Sequence, residues 1–280
     1  MVGAGDVIDV VVRCRNEMPH AQATLERMAR QRSPRARVLF LDCRSEDGSR
    51  ESAAEAGCEI VEIDPQAYVP GRALNLGMTR TRSRIVAFVN ADAIPLDDGS
   101  LGRLIEPFRD ERVVASFGRQ IPRGDADRIT RLDHERTFGP DAPVKTRRGV
   151  FFSMAASAVR REVWQRLPFD EALHYSEDVD WAYRVTALGY RVAYVPGAHF
   201  EHSHSYDLEG QFRRRRGEGK ADGAIFRLGR PSFGQDFVRP LAGSLLRDVR
   251  TGLVSPYAVA TRLVQSTGYF VGRRDAVRAP

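Results

Sequence analysis

The sequence predicts an α/β protein with a mostly parallel, Rossmann-like central sheet flanked by helices. Short apolar runs rich in β-branched and aromatic residues lack polar alternation, which is typical of strands buried on both faces. These runs alternate with segments of helical periodicity, the pattern of a doubly wound parallel sheet. Several runs end abruptly in an acidic side chain, and ligands bind at the carboxyl edge of such sheets.

The first third of the chain alternates strands and helices without interruption. One predicted helix ends before Ser33-Pro34, and another is closed by Gly57 at its C-terminus. The predicted strands are 7–12, 38–41, 59–63 and 85–89, and the predicted helices are 21–31, 49–56 and one that opens at Gly71.

In the rest of the chain the predicted strands and helices alternate less regularly. Residues 119–148 are polar, basic and weakly periodic, and we interpret them as a functional or mobile loop. We expect one large α/β domain at 1–207 and a basic, mainly helical C-terminal extension at 208–280, packed on or near that domain. The predicted elements are helices at 101–108, 160–167, 177–188, 241–249 and 258–269, strands at 113–117 and 191–195, an apolar run at 151–159, and an extended or loop segment at 199–204.

Composition narrows the class of protein. The net charge of +6 favours anionic partners such as nucleotide phosphates, acidic lipid surfaces or nucleic acid. The three cysteines show no metal-ligand or redox spacing. Residues 1–6 lead directly into the first strand without a signal-peptide pattern, and no apolar run reaches the ~20 residues that cross a bilayer. We therefore expect a cytoplasmic protein, with peripheral attachment at the inner face of the cell membrane left open.

Two carboxylates follow predicted strands directly. Asp92, in Asn90-Ala91-Asp92, would suit a divalent cation and through it a phosphate, although a turn before Pro95 also explains these residues. Asp42 could accept hydrogen bonds from a nucleobase or a ribose hydroxyl, and an Asx turn or helix cap explains it equally well.

A second acidic cluster and a histidine pair lie further along the chain. Glu177 and Asp178 stabilise a helix N-terminus through its dipole, or supply a general base beside the apolar wall of Trp181. His202 and His204 project from one face of an extended segment, so they either bind the same metal ion as Asp92 or remain solvated.

The order of these motifs resembles the family 2 glycosyltransferases of the GT-A fold. Within that family the chain is similar to bacterial rhamnosyltransferase-like enzymes and other polysaccharide or glycolipid sugar transferases. The resemblance covers residues 6–207. It rests on Arg15-Asn16-Glu17 after the first strand, Asp42 to Ser49, Gly71 to Gly77, Asn90-Ala91-Asp92, Tyr175 to Trp181, and His202-Ser203-His204.

The resemblance implies a nucleotide-sugar donor, a divalent cation (Mn²⁺ or Mg²⁺), and inversion at the anomeric carbon. One residue departs from the family's pattern, because Asn90 replaces the first Asp of its Asp-X-Asp element and weakens metal affinity. The implied nucleotide-sugar-binding residues are Arg15, Asn16, Glu17, Asp42, Ser45, Arg72, Asn75, Asn90, Ala91 and Asp92. The implied catalytic residues are Asp178 as general base and Glu177, the acceptor-side residues are Arg119, Gln120 and Trp181, and the metal ligands are Asp92, His202 and His204.

The predicted function is therefore hexosyl or deoxyhexosyl transfer to a hydroxyl of a glycan or lipid-linked acceptor. A non-catalytic sugar-nucleotide or glycan-binding module is the alternative that Asn90 favours. A dinucleotide oxidoreductase needs a glycine-rich turn after the first strand, which Arg13-Cys14-Arg15-Asn16 is not. The basic run Arg213 to Arg216 is either a solvated surface or a dock for an anionic membrane, and it lacks the interleaved aromatics of a nucleic-acid site.

Overall fold

A computed structural model describes residues 7–141, 149 and 151–278, and it confirms the predicted α/β architecture with C-terminal helices. The chain divides into two compact units. The first unit comprises Met1–Asp125, Asp133–Ala172 and Glu177–Ser203, and the second comprises Ala126–Leu132, Leu173–Ser176 and His204–Pro280. The division into 1–207 and 208–280 stays a prediction.

The first unit contains one mixed sheet in the strand order β3-β2-β1-β4-β7-β6-β8-β5. The pairs β3-β2, β2-β1, β1-β4 and β6-β8 are parallel, whereas β7 runs antiparallel to β4 and β6, and β5 runs antiparallel to β8. The strands are β1 (Val7–Cys14), β2 (Arg35–Asp42), β3 (Glu59–Glu62), β4 (Ile85–Asn90), β5 (Ile94–Pro95), β6 (Val113–Ile121), β7 (Ala156–Arg160) and β8 (Arg191–Glu201).

The central strands are buried on both faces, as their mostly apolar runs predict. In β1, Val10 and Val12 pack into the hydrophobic cluster on one face, and Val11 packs into the cluster on the other. In β4, Val89 packs into the first of these clusters and Phe88 packs into the second. Successive side chains point to opposite faces of a strand, so a run without polar residues fills two layers of core.

Helices cover these faces and bring the sheet's connections back to the same edge. Gly77 allows α3 to lie directly on the sheet, since a Cβ there would stand 2.7 Å from Cγ1 of Val11. The helices are α1 (His20–Ala29), α2 (Ser49–Glu55), α3 (Pro70–Arg80), α4 (Ser100–Ile105), α5 (Arg128–Thr137), α6 (Arg161–Arg166), α7 (Glu177–Ala187), α8 (Leu208–Ile225), α9 (Arg239–Arg250) and α10 (Pro256–Arg278).

Two predicted irregular segments are more regular than expected. The segment at 119–148 is wrong as a single loop, because β6 continues to Ile121 and α5 follows; residues 142–148 lie outside the described residues. Register shifts in the β6-β8 pairing include one between Gly118 and Arg119, and this irregularity masks the strand period in the sequence. The segment at 199–204 begins as strand, since β8 ends at Glu201.

The second unit is mainly helical. Within it the buried carboxylate of Asp248 on α9 accepts hydrogen bonds from Nε (2.8 Å) and Nη2 (2.9 Å) of Arg262 on α10. Among the described residues, no helix has both the length and the apolarity that a membrane-crossing segment requires.

The four consecutive arginines of α8, Arg213 to Arg216, form ion pairs within the second unit. Each of their four guanidinium groups lies within ion-pair distance of a carboxylate on α8 or α10. The partners are Glu209 for Arg213, Glu218 for Arg214 and Arg215, and Asp275 for Arg216. The run therefore carries less uncompensated charge than its sequence suggests.

Candidate active site

The predicted site residues of the first unit gather where β1, β2 and β4 end. The backbone N–H of Ala91 donates to the carbonyl of Arg13 (2.9 Å), and that of Cys43 donates to the carbonyl of Cys14 (2.9 Å). The ends of the three strands are thereby held side by side. Polar side chains that follow these strands face one region of the sheet edge.

Asp92 is the buried acidic centre of this edge, with 2% of its surface exposed. The preceding residues form a tight turn in which the N–H of Ala93 donates to the carbonyl of Asn90 (2.9 Å), and Ala91 is fully buried. The turn that the sequence analysis offered as an alternative is therefore present, and it is compatible with a metal-binding role of Asp92. Oδ1 of Asp92 lies 3.5 Å from Nε2 of His202.

The orientation of His202 is set by Gln120. Oε1 of Gln120 accepts a hydrogen bond from Nδ1 of His202 (2.8 Å), and Nε2 of Gln120 donates to Oγ of Ser153 (2.8 Å). With the proton on Nδ1, Nε2 presents its lone pair toward Asp92, which is the tautomer that binds a metal ion. Gln120, predicted on the acceptor side, thus lies behind a candidate metal ligand.

An arginine that the sequence reasoning missed lies against Asp92. Nη2 of Arg123 donates to the backbone carbonyl (2.7 Å) and to Oδ2 (3.1 Å) of Asp92. Its side chain is 12% exposed, and its backbone N–H donates to Oγ of Ser203 (3.1 Å). Arg123 lies two residues beyond Ile121, the last residue of β6. Its position just past a strand end was the one signal in the sequence that could have identified it.

Glu17 is the second acidic group near this centre. Burial, with the charge of Asp92 as the next cause, raises the pKa of Glu17 to about 7, and Arg123 acts in the opposite direction. The predicted nucleotide-pocket residue therefore lies within electrostatic reach of the predicted metal ligand.

Glu177 and Asp178 form a coupled acidic pair in the first turn of α7. Glu177 is 8% exposed, and burial and the neighbouring Asp178 raise its pKa to about 7. Burial also raises the pKa of Asp178, whose Oδ2 accepts from the backbone N–H of Met154 (3.3 Å) and whose Oδ1 accepts from that of Val179 (2.8 Å). Both carboxylates are thus desolvated and held in place, as a general base requires.

Arg13, also missed from the sequence, connects the acidic pair to the motif after β4. Its Nη2 donates to Oδ1 of Asn90 (2.9 Å), and its Nη1 lies 3.8 Å from Oε1 of Glu177. Its charge acts against the raised pKa values of Glu177 and Asp178. Arg13 is the penultimate residue of β1. Asp92 was selected because it follows the end of a strand, and the same criterion would have selected Arg13.

The loops after β1 and β2 are joined by hydrogen bonds between residues predicted to bind the nucleotide. Oγ of Ser45 accepts from the backbone N–H of Asn16 (3.0 Å), and Oδ1 of Asn16 accepts from that of Glu46 (2.8 Å). Asn16 has a φ of 56°, a backbone conformation that asparagine tolerates. Asp42 is fully buried and accepts from the N–H of Ser45 (3.2 Å), so the Asx-turn interpretation holds, whereas Arg15 is exposed.

The two predicted residues of α3 have structural partners. The side-chain amide of Asn75 accepts from Nε1 of Trp164 (2.8 Å) and the N–H of Phe169 (3.0 Å), and it donates to the carbonyl of Phe169 and to Glu171 (2.9 Å each). Nε of Arg72 lies 3.5 Å from Glu171. These contacts fix the segment after α6, and a nucleotide contact of either residue stays a prediction.

Trp181, predicted on the acceptor side, lies in the core of the first unit. Trp181 is fully buried, packs against Phe152 and Phe169, and donates from Nε1 to the carbonyl of Leu167 (2.6 Å). It therefore forms apolar support for α7, and its acceptor-side role stays a prediction. Nε of Arg119 donates to the carbonyl of Phe138 (3.1 Å).

The described chain matches a known family over more than half its length. The family described as Glycosyl transferase family 2 matches residues 9–167. The O-antigen chain rhamnosyltransferase WbaN of Salmonella anatum is 28% identical over 212 residues, which are 72% of this chain and 66% of that protein. RfbN of Salmonella typhimurium, of the same description, is 27% identical with the same coverage. The chain thus spans slightly less than two thirds of these relatives.

Solved structures share the fold. The mannosyltransferase PcManGT from Pyrobaculum calidifontis, in complex with GDP-Man and Mn²⁺, is 18% identical with a TM-score of 0.66, covering 93% of this chain and 85% of that one. Glucosyl-3-phosphoglycerate synthase from Mycobacterium tuberculosis, in complex with Mn²⁺, UDP and phosphoglyceric acid, is 21% identical with a TM-score of 0.59, covering 82% and 81%. Together with the family match, this likeness confirms the predicted fold: the chain belongs to glycosyl transferase family 2 and has a GT-A-type fold.

Proposed function

We propose that this protein is an inverting glycosyltransferase that moves a sugar from a nucleotide-sugar donor to a hydroxyl group of a glycan or lipid-linked acceptor. The observation that carries the proposal is the position of Arg13, which contacts Asn90 (2.9 Å) in the motif that ends at Asp92 and lies 3.8 Å from Glu177. One side chain thus connects the motif that ends at the predicted metal ligand with the acidic pair that contains the predicted base. A transferase needs both within one site.

The donor set supports a divalent cation at the first of these places. Asp92 and His202 offer a carboxylate and an imidazole, and the hydrogen bond that Nδ1 of His202 donates to Oε1 of Gln120 selects a metal-binding tautomer of His202. His204, which the sequence analysis also assigns to the metal ion, stays a prediction as a ligand. A bound Mn²⁺ or Mg²⁺ would act as a Lewis acid on the diphosphate of the donor.

Cationic side chains add to the charge available for the leaving nucleoside diphosphate. The guanidinium of Arg123 is held by Asp92 and by the carbonyl of Ser203 (2.5 Å), so it needs little reorganisation during the reaction. Preorganised positive charge near a developing anion lowers the barrier most effectively where water is excluded. Arg123 would therefore supply the diphosphate with positive charge in addition to that of a metal ion whose affinity Asn90 weakens.

Asp178 is the proposed general base. Its carboxylate is fixed by the N–H groups of Met154 and Val179, and its raised pKa makes it a better proton acceptor than an ordinary aspartate. It would take the proton of the acceptor hydroxyl as that oxygen attacks the anomeric carbon from the side opposite the diphosphate. One direct displacement inverts the configuration without a covalent intermediate.

The relatives supply the proposed substrate class. WbaN and RfbN are described as O-antigen chain rhamnosyltransferases, so we propose a deoxyhexose donor and a polysaccharide-type acceptor. The non-catalytic alternative, which Asn90 favoured, requires no desolvated acidic pair, and this chain keeps one at Glu177 and Asp178.

A donor panel tests the proposal. The wild-type protein is expected to hydrolyse or transfer from one sugar nucleotide, with stimulation by Mn²⁺. Asp178→Asn should lose turnover while keeping donor affinity. Asp180→Asn, which alters the same helix at a residue paired with Arg184 (2.8 Å), is the matched control and should retain turnover. Donor binding without turnover in the wild type would support the binding module and overturn the transferase.

A further inference from the structure

The solvent face of α9 in the second unit carries an unpartnered apolar stripe. Val238 (45% exposed), Leu246 (51%) and Val249 (60%) follow a spacing that places them, with the exposed Ala242, on one side of the helix. Val238 ends a π-helical turn with helical φ and ψ and leads into α9 without a break. The stripe from Val238 to Val249 therefore extends over about 17 Å at 1.5 Å per residue.

Exposed apolar side chains continue beyond both ends of this helix. Phe233, 61% exposed, precedes the stripe and stacks on Phe237 with ring centroids 4.9 Å apart. Val254 (75% exposed) and Tyr257 (50%) follow it. Large apolar residues that are exposed singly are ordinary, but several of them on one helix and its flanking residues favour an interaction surface.

The charges beside the stripe are basic. Arg239 and Arg250 are exposed, and within the part of the chain that the structure describes neither has a carboxylate at ion-pair distance. The two acidic residues of this region are engaged internally, since Asp248 is paired with the buried Arg262 and Asp236 lies 3.6 Å from Arg273. The face consequently presents apolar surface and positive charge without exposed negative charge.

This pattern differs from that of the arginine run Arg213 to Arg216 in α8. That run is denser in charge but each guanidinium is paired with a carboxylate of the same unit, and its helix has no continuous apolar face. Insertion into a bilayer interface requires an apolar face that enters the acyl boundary together with cations that meet lipid headgroups. Of the two surfaces, α9 meets both requirements.

We infer that the α9 face, defined by Phe233, Val238, Leu246 and Val249 with Arg239 and Arg250, docks in the interface of an anionic phospholipid bilayer. The helix would lie in the plane of the membrane with its apolar stripe among the acyl chains and its arginines at the headgroup phosphates. Charge complementarity selects lipid over an acidic or neutral protein surface, because every exposed charge on the face is positive. The docking does not depend on the proposed transfer reaction.

Vesicle sedimentation of the chain of residues 1–280 tests this inference. The wild type is expected to co-sediment with phosphatidylcholine vesicles that contain about one third phosphatidylglycerol, and much less with pure phosphatidylcholine. Leu246→Asp/Val249→Asp should abolish binding, and Arg239→Gln/Arg250→Gln should weaken it at least tenfold, because each arginine contributes about 1 kcal/mol near an anionic surface.

Matched controls separate this surface from exposed residues in general. Leu188→Asp alters an isolated leucine, 64% exposed, at the end of α7, and Arg112→Gln removes an exposed arginine of the first unit; both should bind like the wild type. Neutralising Arg213 to Arg216 should change binding less than the two α9 arginines do.

Three outcomes would overturn the inference. These are equal binding to neutral and anionic vesicles, unchanged binding of Leu246→Asp/Val249→Asp, and a wild-type dimer in solution that the same double variant dissociates, since a second copy would then cover the face. Circular dichroism of each variant shows whether it is folded, and donor hydrolysis without acceptor reports the proposed function separately.

Discussion

Replacing Glu177 by glutamine should stabilise the protein at alkaline pH while impairing its reaction. Glu177 is 8% exposed, and its pKa is raised from 4.5 to about 7 by burial and by Asp178. The folded protein therefore keeps this proton over a pH range in which the unfolded chain has already released it. Unfolding becomes easier as the pH rises through that range, and the loss is complete above about pH 7.

The size of this effect follows from the shift. One pKa unit corresponds to about 1.36 kcal/mol, so ionising Glu177 in the folded state costs about 3 kcal/mol above pH 7. Glutamine resembles the protonated carboxyl group and avoids that cost. The free energy of unfolding of Glu177→Gln should thus exceed that of the wild type by up to about 3 kcal/mol at pH 8, and by nothing below pH 4.5.

Urea unfolding followed by tryptophan fluorescence measures this difference. Both tryptophans of the chain, Trp164 and Trp181, lie in the core cluster of the first unit, so the signal reports the unit that contains Glu177. Glu55→Gln, an exposed change on α2, is the control and should shift stability little at any pH. An unchanged or lowered stability of Glu177→Gln at pH 8, or the same gain at both pH values, would refute the reasoning.

Three further predictions concern other contacts of the structure. Arg13→Met should move the acidic limb of the kcat/KM profile to higher pH, because the arginine lowers the pKa values of the acidic pair; an unmoved limb would separate Arg13 from the base. Gln120→Leu should weaken Mn²⁺ binding, measured calorimetrically, about 10–100-fold by releasing His202, and Gln120→Glu should retain it. Arg262→Met should destabilise the second unit by about 3–5 kcal/mol in chemical unfolding, since it leaves a buried carboxylate unpaired; a change below about 1 kcal/mol would contradict this.

Much of the sheet was predictable because burial on both faces leaves a strong local pattern. The run that became β4 has no polar residue before Asn90, the run at 7–12 that became β1 has only Asp9, and an acidic residue follows β4 closely. The long 119–148 segment was misread because β6 is irregular near Arg119 and α5 is mostly polar. Periodicity reports a helix only where one of its faces is consistently apolar.

The roles of individual side chains could be predicted less well from the sequence. Asn75 and Trp181 belong to motifs that resemble the family's, yet their hydrogen bonds and burial make them supports of the loop after α6 and of α7. A motif in sequence does not distinguish a residue that touches a ligand from one that holds such a residue in place. That distinction depends on which polar atoms already have partners inside the fold.

The sequence by itself determined the fold class, the family resemblance and the positions of Asp92 and Asp178, because these depend on local patterns and on the order of motifs. Only the tertiary structure decided that Arg13 contacts Asn90 from 77 residues away and that Gln120 orients His202 from 82 residues away. Strands distant in the chain become neighbours only in the folded sheet. The charges and hydrogen bonds that tune the site therefore arise from packing, which no local pattern records.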